Sequence, residues 1–233
     1  SRRSIRAFLD KPVAPDLIKK IITQSARAPS GGNLQPWYVD VVTGDSHKKL
    51  LDLMNKKIAD NPAGETRDYD FYPSDLPDKY TYRRRATGAG LYEAMGIAYD
   101  DKQARWDAMK LNWEFFGAPV GLFFSIDKFM GKNQWCHLGM LMQNISLLAI
   151  ENGLATCMQE AWAVYSETMH DFLNLPDERV FYCGMALGYE DKTAPVNKFI
   201  TEREKLVKFV SFIEYLQEFF KIFSIKKGPS YHQ

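Results

Sequence analysis

Three short stretches of this chain collect side chains able to hold a charged or planar ligand. Arg2-Arg3-Ser4-Ile5-Arg6 places three guanidiniums and a hydroxyl in one segment, followed by the apolar Phe8. A guanidinium is a planar fork of donors that matches phosphate oxygens, so the segment reads as a phosphate clamp. Taken alone it reads more readily as a solvated basic terminus. Residues 28–37, Ala-Pro-Ser-Gly-Gly-Asn-Leu-Gln-Pro-Trp, join two glycines that let backbone approach a ligand to Ser, Asn and Gln groups that orient one. An ordinary helix-to-strand turn needs only one or two such residues. The third stretch, Gly188-Tyr189-Glu190-Asp191 and then 197–203, brings a cation, Arg203, back after the last strand; a solvated charge run is its plainer reading.

Other chemistries lack their residues. His47, His137, His170 and His232 are scattered without HxxxH or HxxE spacing, so no metal site is expected. Ser30 has no GxSxG elbow around it, and no Cys/His spacing supports a nucleophilic hydrolase. No catalytic side chain is therefore assigned, which fits an enzyme whose cofactor carries the chemistry. Arg83-Arg84-Arg85, beside Tyr80 and Tyr82, reads as a solvated run more readily than as a substrate-facing patch. The irregular stretch 64–91 is the place expected to select substrate. Trp106 and Trp113 read as core or interface.

The elements that must position these groups fit one domain. The chain has 233 residues, 45% of them hydrophobic and 14% aromatic, which suffices for a packed core. Lys plus Arg number 30 against 29 acidic residues, so no net field favours nucleic acid or a membrane surface. Cys136, Cys157 and Cys183 are an odd number without CxxC spacing, which argues against a disulfide framework and for a reducing cytoplasm. No run of about 18 apolar residues occurs, and no export signal is visible.

Apolar periodicity predicts helices over 15–28, 47–59, 89–99, 101–116 and 166–173, and strands over 37–42, 119–126, 155–158 and 180–187. Residues 61–82 read as a surface excursion. Residues 136–152 are apolar nearly all round and read as a buried central helix, part of which meets its twin across a two-fold axis. The class is α+β, a mostly antiparallel sheet carrying helices.

In this order and at these distances, RRSIRAF, APSGGNLQPW, CMQEAW and GYEDKTAPVNKFITER resemble the nitroreductase family of FMN enzymes, over roughly residues 2–209. The resemblance implies an interlocked homodimer with FMN at the subunit interface. It implies that Arg2, Arg3, Ser4 and Arg6 grip the FMN phosphate and pyrimidine edge, Arg6 lying near flavin N1 and O2. It implies that Pro29, Ser30, Gly31 and Asn33 reach the other subunit's flavin. Gln159, Glu160 and Ala161 lie beside the ring, Asn112 meets its polar edge, and Arg203 is a second phosphate ligand. Ile200 stands where related chains often carry Arg, with Lys198 a substitute.

The activity implied is ping-pong hydride transfer from NADH or NADPH, through flavin N5, to a small electron-poor acceptor such as a nitroaromatic or a quinone. A reductive dehalogenase or other specialised flavin enzyme on the same scaffold, and a non-catalytic flavin-binding sensor, are the alternatives. The domain is expected to span 1–212, and the tail 213–233 to form a helix packed on the partner subunit.

Overall fold

The computed structural model describes residues 2–213. The helix expected for the tail 213–233 thus falls, from residue 214 on, outside the described residues. The chain divides into two compact units, Ser1–Ile200 and Thr201–Gln233. Among its described residues the second has one 3₁₀ turn, Leu206–Lys208.

The first unit alternates helices and strands: α1 Pro15–Ser25, β1 Tyr38–Val42, α2 Gly44–Asp60, α3 Asp78–Ala94, α4 Lys102–Lys110, β2 Val120–Asp127, α5 Lys132–Glu151, β3 Ala155–Gln159, α6 Ser166–Leu173 and β4 Arg179–Gly188. The strands form one sheet in the order β1-β2-β4-β3, and every pairing is antiparallel. An N-terminal strap adds to its β3 edge through a parallel bridge, Ser4 to Thr156, with the Ile5 N–H donating to the Thr156 carbonyl at 3.0 Å.

Strand side chains alternate between faces, so this sheet buries both. On one face Leu122 and Phe124 of β2 and Cys183 and Met185 of β4 pack against Ile18 and Ile21 of α1 and Leu138, Leu141 and Ile145 of α5. On the other, Phe123, Phe181 and Ala186 meet Leu50, Met54 and Ile58 of α2, together with Trp113, Phe115, Trp162 and Tyr165. Burying each such large side chain contributes roughly 1.5–3 kcal/mol. Two glycines permit the second layer. A Cβ on Gly184 would run into the Trp162 ring, and one on Gly121 into Phe115.

Register shifts between Phe124 and Ser125, whose partners on β4 are Cys183 and Phe181, so Tyr182 is an extra, bulged residue. Its carbonyl accepts the Tyr69 hydroxyl. The first part of the 61–82 excursion is fastened. Asp68 Oδ2 accepts from Ser166 Oγ at 2.8 Å and from the Phe181 N–H at 3.0 Å, and Glu65 accepts from the backbone N–H and hydroxyl of Thr168. His170 Nε2 also lies 3.2 Å from Asp68 Oδ2. Serine and histidine thus converge on one carboxylate oxygen, which is a clip and not a relay from serine to histidine.

Two helices depart most from the boundaries read in the sequence. α3 begins at Asp78 and ends at Ala94, not over 89–99. None of its residues is buried, so it carries no apolar stripe for periodicity to find. The helix expected over 101–116 stops at Lys110 and continues as a 3₁₀ turn to Gly117, because Phe115 and Phe116 take left-handed backbone at φ 51° and 54°. α5, read as a buried helix part of which meets its twin, buries within one chain Leu138, Leu141, Met142, Ile145, Ser146 and Ala149. Cys136, Gly139, Met140, Gln143, Leu147 and Ile150 form an exposed stripe at spacings of three and four.

Candidate active site

The strap is extended, so its side chains alternate. Burial pushes the Cys157 thiol up, while Arg6, a hydrogen bond from Ser4, and Arg2 each pull it down. The charges of Arg2 and Arg6 and the Ser4 hydroxyl thus all act on one buried sulfur of β3. Arg3 turns elsewhere: its Nη1 donates to the Asn197 carbonyl at 2.6 Å and its Nη2 to Glu190 Oε1 at 3.1 Å. The four residues of the expected clamp split into three that face β3 and one that fastens the strap. A surface cavity of about 460 Å³ is lined by Arg3, Ile5, Leu9, Tyr189 and Glu190 among others, and not by Arg2, Ser4 or Arg6.

Asn197 holds the strap in place. Its Oδ1 accepts the Arg6 N–H, and its Nδ2 donates to the carbonyls of Ala7 and Asp191, each at 2.8 Å. Asp191 folds its own turn by accepting the Thr193 N–H at 2.8 Å, and Lys11 lies 4.0 Å over the Tyr189 ring. The Gly188-to-Asp191 stretch thus positions the strap. Lys198, next to Asn197, is exposed. Arg203 belongs to the second unit, where its guanidinium donates to Thr201 Oγ1 at 2.7 Å and to the Glu202 carbonyl at 2.9 Å.

Beyond Cys157, β3 ends at Gln159 and the chain turns through the 3₁₀ segment Glu160–Tyr165. Gln159 is buried, donating from Nε2 to the Asn112 carbonyl at 2.6 Å and accepting Trp162 Nε1 at 3.4 Å. Trp113 Nε1 donates to the Ala161 carbonyl at 3.0 Å. Asn112 spends its side-chain amide on the Met109 carbonyl at 2.9 Å, so its backbone rather than its side chain meets Gln159. Glu160 lies at the rim, its carboxyl held above the usual range by desolvation. Its charge helps push the Tyr182 hydroxyl up to about 12, behind burial and Cys183, and acts on Tyr69 as well. Tyr69, Tyr182 and Trp135 pack edge to face and tilted, at centroid separations of 5.3–5.8 Å.

Residues 29–35 make a separate exposed loop. Gly32, Asn33 and Gln35 all have left-handed backbone, at φ 59°, 56° and 49°, and Ser30 Oγ accepts the Gln35 N–H at 3.0 Å. A Cβ on Gly31 would stand 3.4 Å from His137 and 3.9 Å from Gln134 of α5. No hydrogen bond or ion pair among the described residues joins Pro29, Ser30, Gly31 or Asn33 to Arg2, Ser4 or Arg6.

A nitroreductase family model matches residues 1–189. The chain belongs to the nitroreductase family. It is 39% identical to a 4-nitrobenzoate reductase of Pseudomonas putida, over 91% of this chain and 92% of the relative. It is 33% identical to a nitrobenzene nitroreductase of Ectopseudomonas oleovorans, over 91% and 93%. Among solved structures it resembles an FMN- and NADPH-dependent nitroreductase, NfnB, from Sphigopyxis sp. strain HMH, with a TM-score of 0.88, 42% identity, and 91% and 95% of the two chains covered.

Within this nitroreductase fold, two groups about the site had no signal in the sequence. Asn197 and Glu190 lie in the third stretch singled out along the chain, and the structure adds that they hold the strap, whereas Cys157 reads as an ordinary apolar strand residue. The Tyr69, Trp135 and Tyr182 cluster comes from three distant segments. Among the described residues, no helix is long and apolar enough to cross a membrane, and no three His, Cys, Asp or Glu side chains gather to hold a metal.

Proposed function

We propose that this oxidoreductase of the nitroreductase family binds FMN between two copies of the chain. With NADH or NADPH as hydride donor it reduces nitroaromatics, quinones or similar electron-poor acceptors in a ping-pong sequence. The carrying observation is the bridge from Ser4 to Thr156, which lays the Arg2-to-Arg6 strap along β3, the strand that runs on into Gln159, Glu160 and Ala161. Fixed cations at one point of a sheet edge, next to a turn of small residues, suit a phosphorylated planar cofactor.

Each residue has a part in this reading. Arg2, Ser4 and Arg6 hold the phosphate and the pyrimidine edge, with Arg3 anchoring their backbone. Lys198 adds a cation toward the phosphate. Gln159 and Asn112 fix the turn at Glu160 and Ala161 against which the ring rests. Pro29, Ser30, Gly31 and Asn33 come from the partner subunit, since within one chain they lie apart from the clamp. When bound, FMN supplies hydride acceptance and donation at N5, for which a positive charge at Arg6 favours the reduced form.

The exposed stripe of α5 supports the dimer. Met140 and Leu147 are 43% and 49% exposed and stand on one face with Ile150, and an isologous two-fold contact is the commonest way to cover such a face. The named relatives act on nitrobenzoate and nitrobenzene, which favours a nitroaromatic acceptor. The unpaired thiols of Cys136, Cys157 and Cys183 favour a reducing, cytoplasmic setting.

The visible spectrum under anaerobic conditions tests the reading. Flavin bands that bleach on adding NADH or NADPH and return with 4-nitrobenzoate are expected. No bands after FMN is supplied would overturn it, and bands that bleach but return with no nitroaromatic or quinone would favour a sensor.

A further inference from the structure

We propose that the outer face of α3 is the recognition surface for the phosphate monoester that distinguishes NADPH from NADH, a proposal that rests on the nicotinamide-driven reading above. α3 carries Lys79, Arg83, Arg84 and Arg85 against only Asp78 and Glu93, which stand near its two ends. It has no buried residue, so these cations are not there to pack a core.

The face is built rather than merely charged. Arg84 lies over the Tyr72 ring at 4.5 Å, and Lys79 and Arg83 lie over Tyr80 at 4.7 and 5.7 Å. Stacking on a ring orients a cation and reduces the entropy it loses when an anion arrives. Tyr82 is 70% exposed, and as the residue three before Arg85 it shares that residue's side of the helix. An exposed ring beside a guanidinium pairs a stacking surface for a purine with a fork for a phosphate. Gly88, one turn beyond Arg84 and Arg85, has nothing within 4 Å of where a Cβ would stand, so the space beside them is open.

The same helix is tied to the clamp. The Phe199 ring occupies the space a Cβ on Gly90 would take, so the later half of α3 seats against the segment whose Asn197 holds Arg6. Arg84 is six residues before that seat, about 9 Å along the helix axis. The α3 cations are therefore fixed to the same platform as the clamp.

The test is calorimetric binding of adenosine 2′,5′-bisphosphate and of adenosine 5′-monophosphate to the full chain with FMN supplied. The wild type is expected to bind the bisphosphate about tenfold more tightly, as charge-assisted hydrogen bonds would give. The double variant R84Q/R85Q should lose that discrimination and R84K/R85K should keep much of it, with thermal melting confirming that both fold. In flavin reduction, the NADPH-to-NADH preference of R84Q/R85Q should fall by a similar factor. Equal affinity for the two nucleotides, or discrimination that survives in R84Q/R85Q, would overturn the proposal. So would a loss confined to 4-nitrobenzoate relative to nitrobenzene, which would assign the face to the acceptor's carboxylate. Bleaching by both nucleotides without preference leaves the flavin reading intact while this proposal fails. Arginine-dependent bisphosphate binding without any bleaching does the reverse.

Discussion

Asn197 Oδ1 accepts the Arg6 backbone N–H at 2.8 Å, a single bond that ties the N-terminal strap to the chain 191 residues later. Asn197 is 4% exposed and its amide also holds the Ala7 and Asp191 carbonyls. Asn197→Ala leaves these buried groups without partners, at a cost of roughly 1–3 kcal/mol. A lower urea midpoint with an unchanged slope is expected, together with faster release of FMN, read as free flavin fluorescence.

The split within the arginine segment separates binding from anchoring. Arg6→Gln removes a charge that acts on Cys157 and should weaken FMN binding about ten- to a hundredfold, as loss of a charged hydrogen bond would. Arg3→Gln instead breaks a half-buried pair with Glu190 and a bond to the Asn197 carbonyl. It should cost about 1 kcal/mol of stability, with a smaller effect on FMN affinity. Equal affinity losses in the two variants would refute the division.

Trp162 lies directly on the Gly184 backbone, with no room for a side chain there. Gly184→Ala forces the fully buried ring or β4 to move, and overpacking of this kind costs roughly 1–3 kcal/mol. Denaturant unfolding followed by tryptophan fluorescence measures it. A neutral substitution would mean that the second layer is looser than its aromatic contacts imply.

His47 stacks on Phe115 at a centroid distance of 5.1 Å, and burial holds its pKa below the ordinary 6.5 despite a bond to the Ala118 backbone. In the folded chain it stays neutral while the unfolded chain takes up a proton. Its contribution to stability is therefore fully present above pH 6.5 and is lost as pH falls from there through the lower, folded-state value. His47→Leu should flatten the acid limb of a melting-temperature profile below pH 6.5. An identical limb in both proteins would assign the acid loss to other groups.

Leu147 and Met140 lie in the exposed stripe of α5, so Leu147→Lys or Met140→Lys should split the expected dimer. FMN should be lost in the same variants, because the loop 29–35 would no longer reach the partner's clamp. Sedimentation with absorbance at a flavin wavelength follows both at once. A monomer that keeps its flavin would show that one chain suffices.

Much of this was readable along the chain. β2 and β4 are short apolar runs between turn signals, and both fall within a residue or two of where periodicity places them. α1 begins at Pro15 as its first-turn chemistry requires. α3 was misplaced because a helix that buries nothing has no apolar period, and the 101–116 helix was overextended because the left-handed turn at Phe115 and Phe116 is forced by packing against Gly121 and Trp162 rather than by local preference.

By itself the sequence determined the class of fold, the family, and the residue types available for an anion and a planar ring. These follow from local propensity, apolar period and the order of short motifs, all of which are written in consecutive residues. Only the tertiary structure decided what each residue does. The charges of Arg2 and Arg6 act on Cys157 of β3 while Arg3, between them, bonds to Glu190 and Asn197, as expected where a strap bridged to β3 sends alternate side chains to opposite sides. That division depends on a strand and a turn more than 150 residues away, and no local pattern can carry it.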